Sequence, residues 1–110
     1  MKLYQLNNMT KGWFVGDFEP SVLRTKHVEV AVKYYSKGDA ETSHLHKIAD
    51  EVTLVLKGEV SMNRTRYYEG DIIHIEPGES TDFVAITDSA TVVVKIPSCT
   101  NDKYHNLESE

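Results

Sequence analysis

Two histidines one residue apart, His44 and His46, are followed five residues later by a glutamate, Glu51. Side chains two apart on a strand project from one face with their backbone positions about 6 to 7 Å apart, so both imidazoles can reach one ion. Residues 47–50 are too short for a helix and read as a loop; if it folds the next strand back antiparallel beside the first, the Glu51 carboxylate returns to the same spot. Two neutral imidazoles and one carboxylate suit Fe(II), Mn(II), Ni(II), Zn(II) or Co(II), and leave positions open for substrate and for water or oxygen. The same three groups can do proton chemistry without a metal: a histidine oriented by Glu51 takes a proton alpha to a carbonyl, and a tyrosine or another histidine returns it. His44, His46 and Glu51 are therefore both the candidate catalytic residues and the candidate metal ligands.

The elements that must position them are strands. Val28, Val30, Val32 and Tyr34 alternate with Glu29, Ala31 and Lys33, which predicts a strand over 27–35. Further strands are predicted over 41–46, 51–56, 60–62, 65–68, 72–75, 81–86 and 90–96, separated by Gly, Asp and Pro turns and by a tight hairpin at Asn63-Arg64. No stretch has a sustained helical period. Short strands at such regular intervals indicate an all-β sandwich, jelly roll or closed barrel. Thr53 and Val55 share a face with Glu51, and Phe83 and Ala85 share one with Thr81. Thr53, Val55, Thr81 and Phe83 are thus expected to line a cavity with an apolar floor and polar groups at one end, suited to a small organic ligand.

Other residues carry weaker expectations. Tyr34 or Tyr35 adds a phenol, whichever faces in. His74 reaches the cavity only if Ile73 and Ile75 face outward, and is otherwise a surface or interface histidine; His27 and His105 read as structural or solvent-facing. Trp13, Phe14 and Phe18, between glycines and a proline, are expected to pack across a sheet or at a dimer contact rather than to stack on a ligand. The N-terminal arm, 1–12, is an edge strand or a loose segment, and the polar tail, 98–110, is expected to be flexible and a poor place for chemistry.

The 110 residues suit one domain, and no apolar run approaches a bilayer span. No secretory leader is visible, which makes cytoplasmic residence the expectation. The lone Cys99 has no partner for a disulfide or a zinc pair. A net charge of −5 with scattered Lys and Arg disfavours nucleic acid and gives no sign of a membrane partner, while leaving room for a local basic pocket that takes a phosphorylated small molecule.

The pattern Gly38-x5-His44-x-His46-x4-Glu51-x6-Gly58 resembles the first motif of the cupin superfamily in spacing and residue type. Five such matches arise by chance on the order of once in ten million start positions. Gly70, Asp71, Pro77 and Gly78 match the second cupin motif, but Thr81 stands where that motif has its histidine. The resemblance implies a single double-stranded β-helix, or jelly-roll barrel, over 1–110 with its motif core at 38–86. It also implies a site built from three histidines and a glutamate, of which the fourth ligand is missing here. The expected function is a divalent-metal-dependent enzyme for a small polar molecule, without an organic cofactor and as a homodimer. The alternatives are a metal-free sugar or sugar-nucleotide isomerase or epimerase, which the Thr81 departure favours, and a non-catalytic binding module. GWFVGDFEP, HKIADE and EPGESTDF are similar to phrases in small stand-alone cupins that accompany surface-polysaccharide genes, which points the ligand toward carbohydrate.

Overall fold

The computed structural model describes residues 1–105. Strands β1 (Trp13–Val15), β2 (Glu29–Tyr35), β9 (Ser89–Ile96), β4 (Asp50–Lys57) and β7 (Ile72–Ile75) form one antiparallel sheet in the order β1-β2-β9-β4-β7. The second sheet, also antiparallel, has the order β10-β3-β8-β5-β6, from β10 (Lys103–His105), β3 (Ala40–His46), β8 (Thr81–Ala85), β5 (Glu59–Met62) and β6 (Thr65–Tyr68). A single turn of 3₁₀ helix, Leu6–Asn8, stands in the N-terminal arm, so the alternative of an edge strand there does not hold.

Alternation sets what lies between the sheets. Thr53 and Val55 on β4, Phe83 and Ala85 on β8, and Val60 and Met62 on β5 are buried. Val55, Val60, Met62, Ile75, Phe83 and Ala85 make one apolar cluster, with Tyr35, Tyr67 and Ile73 packed against it. Burying these side chains gives the barrel its stability, at roughly 1.5–3 kcal/mol for each large one. On β2 the inward face is Glu29, Ala31, Lys33 and Tyr35: Glu29 and Ala31 are buried while Tyr34 is exposed. The valines of β2 face the other way because the N-terminal segment covers that side, with Leu6, Met9, Phe14 and Val22 around Val32. The amide of Val32 donates to the Gly12 carbonyl, and a Cβ on Gly12 (φ +84°) would strike the Val32 carbonyl, so only glycine brings the segment in so closely.

Two expectations from the sequence need correction. First, 47–49 does not return the chain beside β3; it crosses to the opposite sheet, so β3 and β4 face each other across the barrel. Second, the tail is not loose as far as His105. Asp102 is 2% exposed, and β10 pairs with β3 in the register Lys103↔His46 and His105↔His44. Its carboxylate accepts the amides of Lys47, Ile48 and Ala49 at 2.9–3.1 Å, which satisfies the N–H groups of the crossover. Positions 106–110 of the expected tail lie outside the described residues.

Candidate functional site

The two histidines share a face of β3, as their spacing predicts, and their rings meet edge to face at 5.4 Å between centroids. Glu51 reaches them from β4 across the barrel, and one donor atom from each of His44, His46 and Glu51 lies within 4.8 Å of the others. His46 Nε2 is 3.4 Å from Glu51 Oε1.

Backbone carbonyls fix both rings. His44 Nδ1 lies 3.1 Å from the Thr42 carbonyl and His46 Nδ1 lies 3.2 Å from the Asp102 carbonyl. A carbonyl only accepts, so each Nδ1 carries the proton and each neutral ring presents the Nε2 lone pair inward. Glu51 is held on its far side, its Oε2 accepting from the Thr53 hydroxyl at 3.0 Å. The result is a lone pair of His46 Nε2 facing a lone pair of Glu51 Oε1. That nitrogen is buried and has no hydrogen-bond partner among the described residues. Two such lone pairs repel unless a cation stands between them, either a metal ion or a proton that makes His46 an imidazolium. Donors about 2.1 Å from a tetrahedral ion are themselves about 3.4 Å apart, a spacing that the His46–Glu51 pair has, with the set of three inside 4.8 Å.

The charges are consistent with ligand duty. Burial pushes the His44 pKa below its usual value, which keeps the ring neutral. Burial alone would raise Glu51, but the adjacent His46 ring, the Lys95 charge and the Thr53 hydroxyl outweigh it and hold its carboxyl below the usual range.

The cluster opens into a cavity of about 290 Å³. Thr53, Thr81, Phe83 and Met62 line it. Val55 does not; it lies one step deeper along β4, fully buried in the apolar cluster. Thr81 is the cross-strand partner of His44. Of the two tyrosines it is Tyr35 that faces in, donating to Glu41 Oε2 at 3.2 Å, and both residues line the cavity. Burial, reinforced by the Glu41 charge, pushes the Tyr35 phenol well above its ordinary pKa, so it stays protonated. His74 points out of the barrel, because Ile73 and Ile75 pair with Thr53 and Glu51 on the inner face; its Nε2 is 2.8 Å from Asp50 Oδ1 on the surface. Trp13 lines the cavity instead of serving packing alone.

No protein-family model matches the sequence, and no curated protein matches it. Solved structures do. An RmlC-like cupin from Shewanella frigidimarina is similar with a TM-score of 0.65 and 18% identity, over 70% of this chain and 72% of that one. The chain has the cupin fold. An uncharacterised double-stranded β-helix protein from Klebsiella pneumoniae matches over 97% of this chain and 99% of its own, with a TM-score of 0.70 and 19% identity. The DMSP lyase DddQ from Ruegeria pomeroyi has a TM-score of 0.71 and 17% identity, over 86% of this chain and 49% of that one. Within this fold, Glu41, Trp13, Lys33, Lys95, Lys103 and Asp102 are the residues around the site that motif spacing did not single out.

Proposed function

We propose that the protein is a divalent-metal-dependent enzyme acting on a small polar, carbohydrate-like molecule in the barrel, with His44, His46 and Glu51 as the ligands. The observation that carries this reading is the buried, unpartnered Nε2 of His46 aimed at Glu51 Oε1. A similar structure is named as a lyase, which supports an enzyme over a plain binding module. The chemistry a divalent ion supplies in such a site is Lewis-acid polarisation of a substrate oxygen or, for iron, handling of oxygen. Thr53 orients Glu51, Phe83 and Met62 keep the floor dry, and the Tyr35 hydroxyl holds a proton at the cavity wall. Elemental analysis of protein purified without added metal, beside a His46→Ala control, is expected to find stoichiometric metal in the first sample alone. Absence of metal from both removes the reading.

The Tyr35–Glu41 pair favours a second reading, a metal-free sugar or sugar-nucleotide isomerase or epimerase. In it either a proton stands between His46 and Glu51 and neutral His44 takes the proton from carbon, or His46 itself takes that proton and passes it toward Glu51; Tyr35 returns one to carbon. Metal-stripped protein would then exchange keto-sugar protons with deuterated water. A protein with neither metal nor exchange is a binding module. The proposal includes cytoplasmic residence and a homodimer. Val22 and Leu23, exposed on the N-terminal segment, support the dimer, and light scattering that shows monomer alone removes it.

A further inference from the structure

The lining of the cavity runs against the charge of the chain. In a protein of net charge −5, Lys11, Lys33, Lys95 and Lys103 converge on the recess that His44 and Glu51 line. They come from separate elements. Lys33 is on β2 and Lys95 on β9, both on the inner face. Lys103 is on β10 and Lys11 on the turn before β1. The Lys33 and Lys95 ammonium groups lie 5.1 and 4.9 Å from the centre of the Trp13 ring.

The carboxylates of the lining are already engaged. Glu51 faces His46, Glu41 accepts from Tyr35, and Asp82 accepts the Asn63 amide at 2.7 Å. Among the described residues none of the four lysines is in an ion pair. The Lys33 ammonium is half-buried, and its hydrogen bond goes to the Lys11 carbonyl at 3.3 Å. Burial, together with repulsion from Lys95, Lys103 and Lys11, lowers its pKa against the opposing pull of Glu41. A partly desolvated ammonium held among three like charges is destabilising in an empty pocket, and a bound anion reverses that sign. Lys11, Lys33, Tyr35 and Glu41 also line a neighbouring groove of about 840 Å³, which gives room beside the recess for the rest of a ligand.

We propose that Lys33 and Lys95, beside Trp13, together with Lys103 form an oxyanion subsite, so that the substrate is a small organic anion, a sugar acid or a sugar phosphate. This rests on the reading of His44, His46 and Glu51 as the reaction centre, and deepens it by naming the substrate class. Lysines offer point charges rather than the planar fork of arginine, so they serve a carboxylate and a phosphate alike.

Trp13 is the single tryptophan, so its fluorescence reports the subsite directly. Titration with glucuronate, gluconate and glucose 6-phosphate, against neutral glucose, is expected to give saturable change with at least one anion and binding about tenfold weaker or worse with glucose. Which anions saturate distinguishes carboxylate from phosphate. Lys33→Met and Lys103→Met should each weaken the binding anion by about tenfold, and raising KCl from about 50 to about 500 mM should weaken it further. Lys103 is exposed on its strand, so its variant keeps the test alive if Lys33→Met fails to fold. The subsite is overturned if no anion saturates, if glucose binds as well, or if the variants bind unchanged. Metal content of the same preparations separates the two claims: metal without anion binding sinks the subsite, and lysine-dependent anion binding in protein that holds no metal sinks the metal reading.

Discussion

Glu41 and His44 are three residues apart on β3, yet both line the same cavity. A regular strand would put them on opposite faces. Between them the pairing with β8 slips by one, from Glu41↔Phe83 to His44↔Thr81, so β3 carries an extra residue there. Such a bulge re-aims side chains and leaves a carbonyl off the ladder; here the Thr42 carbonyl takes His44 Nδ1. The bulge thus sets the histidine tautomer and brings Glu41 to the Tyr35 hydroxyl.

Tyr35→Phe and Glu41→Gln should therefore lower kcat by about 10²-fold, the range of a lost general acid or base, while leaving metal content unchanged. Turnover of whichever keto-sugar or sugar acid proves to be processed, read beside elemental analysis, checks this. An equal loss of metal would make the pair structural.

Thr53→Val removes the hydroxyl that donates to Glu51 Oε2 at 3.0 Å and keeps the volume of a side chain that is 3% exposed. Partners of this kind orient a ligand and commonly contribute 10- to 100-fold in metal affinity. Chelator competition should show metal bound about tenfold more weakly, with the melting temperature of the metal-free protein little changed.

The ligand spacing and the eight strands β2 to β9 are legible because both follow from alternation, a local rule, whereas the three-residue strands β1 and β10 are too short to show it. What crosses the barrel is not legible. The short 47–49 segment reads as a hairpin loop, and nothing in its residues reveals that it changes sheets; the three amides that make the crossover workable are satisfied by Asp102, from a tail with no visible pattern. Asp102 also acts on His46 through a backbone carbonyl, which has no side-chain signature. Glu41 was hidden by the bulge, since a period-two reading places it opposite His44. Val55 shares the inner face of β4 with Thr53 but lies deeper, in the apolar cluster, because alternation gives direction and not depth. Lys33 faces inward because the N-terminal segment covers the valine face of β2, which the alternation of β2 alone does not reveal.

The hairpin between β5 and β6 offers a gain in stability. Asn63 and Arg64 both have positive φ, 50° and 66°, as a two-residue type I′ turn requires. Asn63 also holds the Ser80 carbonyl and the Asp82 amide. Arg64 is the strained position, and Arg64→Gly should stabilise by about 0.5–1 kcal/mol, the left-handed penalty less the added entropy of glycine. Urea denaturation measures it.

Asp102 ties the crossover to acid stability. Burial would raise its pKa, but the amides of Ala49, Ile48 and Lys47 outweigh burial and hold it below the usual carboxylate value. A depressed folded-state pKa contributes stability above the unfolded value of about 3.9 and loses it as pH falls through the folded value. Wild type should therefore lose stability below about pH 4, and Asp102→Asn should show a flatter pH profile from a lower plateau. Asp102→Ala, which orphans three amides, should cost about 3 kcal/mol at neutral pH. Denaturation curves taken from pH 6 to pH 3 decide between these outcomes and a pH-independent tail.

Thr81 provides the sharpest test of the site. It is the cross-strand partner of His44 and lines the cavity, and directly opposed residues have Cβ atoms about 4.5–5.5 Å apart. An imidazole there lies within reach of the donors of His44, His46 and Glu51, whereas a hydroxyl is a poor ligand for these ions. Thr81→His should tighten metal binding by at least about tenfold, since a fourth neutral nitrogen replaces a water ligand. Thr81→Val, which keeps the volume and removes the hydroxyl, should leave affinity unchanged. If the histidine variant binds metal no better while its fold is intact, the ion is not held where His44, His46 and Glu51 converge. The lone pairs of His46 and Glu51 would then be reconciled by a proton, and the chemistry would be acid–base.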